Sequence, residues 1–261
     1  MFAKLLKHEM KATAGSIGLL SLAALGIGII GGFMIRYING TVGDERIESL
    51  AGILALFYVF IIFGLFAYGF GSEIFLAFQF YKRKFTDQGY LTFTLPAHSW
   101  QIFLSSMANI MIWTLVILLV IFLALFSMVS IGIIGTPMMD EMSAFGDVVL
   151  ESEELVSQFQ PLTLVYLVVK FLSATVVMMT CVTMGSVLAK KHKILAAFGV
   201  YYVFSLLMGI VSTQLLGNAL YMASDVNLTR VYIIEIAIQL AVSMGGFLLS
   251  CWLMDRKLNL P

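Results

Sequence analysis

The chain has 261 residues, is 61% hydrophobic and only 11% charged, and its 15 lysines and arginines balance 15 acidic residues. Soluble domains carry about 25% charged residues, so a mean hydropathy of +1.00 excludes water as the main solvent and marks an integral membrane protein. Two cysteines, Cys181 and Cys251, both inside apolar stretches, exclude a disulfide framework and read as reduced packing residues.

In chain order, the opening stretch MFAKLLKHEMKAT sets Phe2, Leu5, Leu6 and Met10 near one helical face, with Lys4, Lys7 and Lys11 towards another. This suits a helix lying in the cytoplasmic interface, its lysines on anionic lipid. The plainer alternative is a basic flank that fixes orientation. Six stretches follow that reach the roughly 20 apolar residues a membrane helix needs: about 15–35, 50–72, 101–134, 161–189, 194–216 and 230–254. Backbone groups in lipid must bond within their own segment, and no stretch alternates like a barrel strand, so all six read as helices. The first is expected to stay as a span. Lys11 and Arg36 bracket 24 uncharged residues, too many for the ~7–15-residue core of a signal peptide.

Lys and Arg accumulate on the cytoplasmic side of short loops. Lys4, Lys7, Lys11, Lys82, Arg83, Lys84, Lys190, Lys191, Lys193, Arg256 and Lys257 all fall on one side if six spans alternate. The other side receives Arg36, Arg46 and Arg230, and with them Asp44, Glu45, Glu48, Asp140, Glu141, Asp147, Glu151, Glu153, Glu154 and Asp225. The expected fold is therefore an all-α six-helix transmembrane bundle forming a single domain, residues 1–261, with both termini cytoplasmic. Residues 135–160 form the main external loop, with a short solvated helix expected around 151–158.

The second and third spans are joined by a basic, then mixed, segment, YKRKFTDQGYLTFTLPAHSW at 81–100. Its basic cluster ends the second helix at the headgroups, and Gly89 and Pro96 limit further helix. Tyr90, Leu91, Phe93 and Leu95 place apolar surface beside Asp87, Thr92 and Thr94. Such surface needs a cover: the membrane, the chain itself, or another subunit.

The run FYKRKFTDQGYLTFTLP resembles the intracellular loop of bacterial type-2 ATP-binding-cassette (ABC) permeases, the compact six-span exporter subunits. Span count, inside termini and chain length are similar throughout. The close residue match covers about 78 to 106, and the chain continues Ala97-His98 where such permeases often have Val-Ser. The resemblance implies a coupling helix that docks on an ABC ATPase subunit, with Phe85, Asp87, Tyr90, Leu91 and Phe93 as contacts and Pro96 and Ser99 opening the third helix. The alternative is a tightly packed re-entry loop with no partner. The chain lacks a G-x-x-x-x-G-K-[ST] phosphate loop. It is accordingly expected to be no enzyme and to bind no cofactor, with ATP and Mg held by the partner subunit. The resemblance also implies a second permease copy or paralogue.

Lys170 and Glu235 fall inside spans, roughly 13–14 Å and 7–8 Å from the outer ends of their helices at 1.5 Å per residue. A charge near the bilayer centre costs about 2.5–3.5 kcal/mol. The two residues, with Gln239, either line an export pathway or form a structural pair, and both are shallow enough to snorkel. Ala24, Gly28 and Gly32 on the first span, and Ser205 and Gly209, followed by Thr213, on the fifth, make small faces on which helices can approach. The resemblance assigns these faces to permease–permease packing. His8, His98 and His192 have no metal-site spacing, and GFGSE at 69–73 lacks the partners of a membrane-protease motif.

The leading expectation is the permease subunit of an ATP-driven exporter in the bacterial cytoplasmic membrane. It would move an amphipathic peptide, lipid or drug, with the ATPase, a second permease and lipid as partners and no nucleic acid. A secondary transporter or channel using Lys170 and Glu235, and a non-transporting scaffold that docks on an ATPase, are the alternatives.

Overall fold

The computed structural model describes residues 2–41, 48–86, 89, 98–134, 161–189, 192–222 and 228–256. Among them it contains six helices, α1 (Phe2–Thr41), α2 (Glu48–Phe85), α3 (Ser99–Ile133), α4 (Pro161–Leu188), α5 (Lys193–Met222) and α6 (Leu228–Arg256). Each is long and apolar enough to cross a membrane. The chain is an all-α, multi-pass membrane protein.

Two helices differ most from their sequence outlines, and α5 runs six residues past its outline to Met222. The N-terminal amphipathic segment runs without a break into the first span, making one helix of 40 residues. With no water in the hydrocarbon to take over a broken ladder, an unbroken helix keeps every amide paired even through Gly26, Gly28, Gly31 and Gly32. The second helix extends to Phe85 rather than ending near residue 72, because nothing between Gly71 and Lys84 breaks it. Serine and glutamate at 72 and 73 look like the end of an apolar block but do not interrupt a backbone ladder.

The helices belong to two compact units. The first comprises Met1–Glu9, Leu76–Met111 and Ser157–Pro261, the second Met10–Phe75 and Ile112–Val156. In the second, Ala24, Leu65, Val120, Ala124 and Met128 form the buried core, and Ser21 Oγ meets Tyr68 Oη at 2.8 Å between α1 and α2. Ala24 and Ala124 leave room for α1 and α3 to approach closely: a Cβ added to Gly28 would lie 2.7 Å from the Ala124 carbonyl oxygen.

In the first unit, α4 packs on both α5 and α6. Its contact with α6 is polar: Ser250 Oγ lies 3.1 Å from Thr180 Oγ1 and 3.2 Å from Thr183 Oγ1. Each threonine also returns a hydrogen bond to its own helix, Thr180 to Val176 O and Thr183 to Met179 O. Both cysteines are free, Cys181 buried and Cys251 partly so.

Candidate functional site

The segment between α2 and α3 is held at both roots by contacts within the first unit. On α2, Leu76, Phe80 and Lys84 recur at four-residue spacing and are all buried, so Lys84 continues an inward face while Lys82 is exposed. Its ammonium meets Glu9 Oε1 at 2.7 Å, with the two side chains only 4% and 8% exposed. Ser106 of α3 donates to the same Glu9 oxygen at 2.8 Å. Arg83 Nη1 donates to the Glu9 backbone carbonyl at 3.1 Å. Glu9 thus ties the first turns of α1 to the end of α2 and the start of α3. The remaining gap, of about 10 Å³ beside Gln79 and Asn109, is at the limit for one water molecule.

The aromatic side chains reinforce this root. Phe80 meets Phe85 edge-on at 5.7 Å and Phe103 at 6.3 Å, and Phe103 in turn meets Phe247 of α6 at 5.4 Å. Ser99 Oγ donates to Asp255 Oδ1, joining the opening turn of α3 to the end of α6. Edge-on ring pairs add about 0.5–1.5 kcal/mol each beyond their buried area.

Phe85, one of the expected contacts, packs against its own helix. Phe85 is 4% exposed and stacks on Tyr81 as well as meeting Phe80. Its ring is buried at the end of α2. Asp87, Tyr90, Leu91 and Phe93, the other expected contacts, lie outside the described residues, as do Pro96, Lys190, Lys191 and the 135–160 loop.

Lys170 and Glu235 are brought near one another, with a tyrosine between them. Lys170 Nζ donates to Tyr166 Oη at 2.8 Å, and Glu235 also hydrogen-bonds the Tyr166 side chain. Tyr166 stacks on Tyr232 at 5.1 Å, so α4 and α6 share the cluster. Glu235 is buried and Lys170 exposed. Gln239 contributes its backbone carbonyl, which accepts from Ser173 Oγ at 3.3 Å. Tyr166→Phe is expected to cost about 1 kcal/mol, the upper part of the range for interhelical hydrogen bonds in membranes. It should also abolish the energetic coupling between Lys170→Met and Glu235→Gln in a double-mutant cycle read by unfolding in micelles. Coupling that survives in the phenylalanine background would mean a direct ion pair.

The two small faces part company. Ala24 is buried, a Cβ on Gly28 would strike Ala124, and one on Gly32 would lie 2.8 Å from Ile131 Cβ. The face expected to meet a second copy packs on α3 of the same chain at Gly28 and Gly32. Ser205 and Gly209 on α5 are exposed, with nothing within 4 Å of a Cβ on Gly209.

Four residues were missed as functional candidates by sequence reasoning: Glu9, Lys84, Ser106 and Glu73. Glu9, Glu73, Asp87, Glu235 and Asp255 are the acids left over once the acidic side is counted. Of the described ones, Glu9, Glu73, Glu235 and Asp255 all have polar partners inside the protein. That leftover set was the available signal. Among the described residues no group of three histidines, cysteines or acids is placed to hold a metal ion.

No protein-family model, curated protein or solved structure matches the chain. What stands on its own geometry is a six-helix membrane protein whose α2–α3 connection is clamped at both roots by buried polar and aromatic contacts.

Proposed function

We propose that this protein is the permease subunit of an ATP-driven exporter in a bacterial cytoplasmic membrane, with both termini inside. It moves an amphipathic substrate and is powered by a separate ATPase subunit that docks on the segment between α2 and α3. The observation that carries this reading is the clamp formed by Glu9, Lys84 and Ser106. A loop can pass mechanical work to helices only if its roots do not yield. Here the roots are held by a desolvated ion pair on one side and by the Phe80, Phe103 and Phe247 rings on the other. Displacement of residues 86–97 would then be delivered to α1, α2, α3 and α6 together, in the manner of rigid elements shifting between two packed states. The likeness of residues 78–106 to type-2 permease loops supports the same assignment.

The test is isolation from native membranes in mild detergent, followed by reconstitution. A cassette ATPase should copurify, and Asp87→Ala, Tyr90→Ala and Phe93→Ala combined should lower substrate-stimulated ATP turnover at least tenfold. Unchanged assembly and turnover in that triple variant would overturn the proposal.

A second reading is favoured by the charged groups within the spans, Glu235 with Lys170 and Tyr166. A secondary transporter would use such groups to sense an ion gradient. Flux in proteoliposomes driven by a proton gradient, without ATP or an ATPase subunit, would decide for it.

A further inference from the structure

Within the second unit, α2 and α3 border an open, almost wholly apolar cavity of about 360 Å³. Leu65, Phe66 and Phe70 line it from α2, and Ile117, Leu118 and Ile121 from α3. Its volume falls in the ~300–1,000 Å³ range of small-molecule sites. Two polar side chains enter this lining, Glu73 and Thr114, and they are hydrogen-bonded to each other. No lysine, arginine or histidine lies in it.

Glu73 sits nine residues before Lys82 on one continuous helix, hence roughly 13–14 Å along the axis from the basic end at 1.5 Å per residue. The hydrocarbon core is about 30 Å thick, so the carboxyl group lies near its middle. In its ionised form the Glu73 carboxyl group has four lone-pair positions, and the Thr114 hydroxyl fills only one of them. The low dielectric of the surroundings strengthens attraction to any cation that reaches it.

We propose that this cavity is a binding site for a single-chain lipophilic cation, with its ammonium group on Glu73 and its hydrocarbon chain along Phe66, Phe70 and Leu118. Charge complementarity selects the head group, and the apolar walls select the tail. The exposed face of Phe70, less than one turn from Glu73, adds cation–π attraction for the same charge. An amine-bearing phospholipid does not fit, because its amine travels with a phosphate that would meet the carboxylate and belongs at headgroup depth. Binding there requires neither ATP nor a second subunit, so this site and the export function stand or fall separately.

The experiment is equilibrium binding of radiolabelled dodecylamine at neutral pH to the full chain in phosphatidylcholine nanodiscs, with empty nanodiscs subtracted and dodecanol as the uncharged counterpart. Saturable binding at one site per chain is expected for the amine, weakened at least tenfold by Glu73→Gln. Dodecanol should show no dependence on Glu73. Leu118→Trp, which fills the cavity from an exposed position and leaves the carboxyl group in place, should also weaken the amine at least tenfold. Equal amine binding by the wild type and Glu73→Gln, equal affinity for amine and alcohol, or no saturable binding in folded wild-type protein would each overturn the proposal.

Discussion

Replacing Lys84 with methionine is expected to destabilise the protein by about 3–5 kcal/mol, the usual cost of leaving one half of a buried ion pair behind. The Lys84 and Glu9 side chains are almost fully sequestered and 2.7 Å apart. Removing the ammonium takes the ion-pair partner from a buried carboxylate that keeps its hydrogen bond from Ser106. Arg83 already lies within reach of the Glu9 charge, but its hydrogen bond goes to the Glu9 backbone carbonyl. The double change Glu9→Met with Lys84→Met should recover more than half of the loss, since well-packed apolar groups often replace a buried pair at little net cost. Lys82→Met, two positions earlier and exposed, should stay within about 0.5 kcal/mol. Reversible unfolding in mixed micelles, followed by tryptophan fluorescence, measures all three. A Lys84→Met protein as stable as the Lys82→Met protein would show that the pair contributes nothing to the fold.

The second large effect is expected at Gly185. A Cβ there would lie 2.5 Å from the Ala197 Cα and 2.7 Å from the Ala197 Cβ, so α4 and α5 must separate to admit any side chain. Overpacking of this kind costs about 1–3 kcal/mol for alanine, and leucine should prevent α5 from docking. The contrast is Gly209, also on α5, where a Cβ meets open space. Gly209→Leu should leave the unfolding midpoint unchanged or raise it slightly, because leucine is the better helix former by nearly 1 kcal/mol. If the exposed Ser205 and Gly209 face packs on a second copy of the chain, the same change should lower self-association while the fold persists. Sedimentation in detergent together with the unfolding midpoint separates the two effects. A Gly185→Leu protein that folds with α5 in place would contradict the close approach.

The helices were legible because lipid leaves the backbone few choices. Residues 101–134 and 161–189 were outlined to within two residues of α3 and α4, since apolar length alone decides such segments. The end of α2 was misread for a physical reason. Ser72 and Glu73 look like the edge of a span when hydropathy is averaged, yet in a helix they are two positions on a rod whose other faces remain apolar. Placing the boundary at residue 72 leaves Glu73 outside the span, where its place in the lining of an apolar cavity cannot be read.

Partnership was much less legible than helicity. Lys84 looked like one of three headgroup lysines and arginines, and only the four-residue recurrence of Leu76, Phe80 and Lys84 distinguishes it from Lys82. Glu9 and Lys84 are 75 positions apart, and no local pattern joins them. Proximity of Lys170 and Glu235 could be expected from shared depth, but Tyr166 between them could not, because a tyrosine in a span is ordinarily read as packing. The small face of α1 was visible as Ala24, Gly28 and Gly32, while the helix that fills it depends on tertiary arrangement.

The unbroken course of α1 makes the host lipid a variable of this protein's stability. Forty residues at 1.5 Å each make a rod of about 60 Å, longer than the ~40–45 Å of a whole bilayer with its headgroups. Longer acyl chains stand such a rod upright and shorter ones lean it over. The tilt of α1 is therefore expected to follow the thickness of the bilayer that holds it.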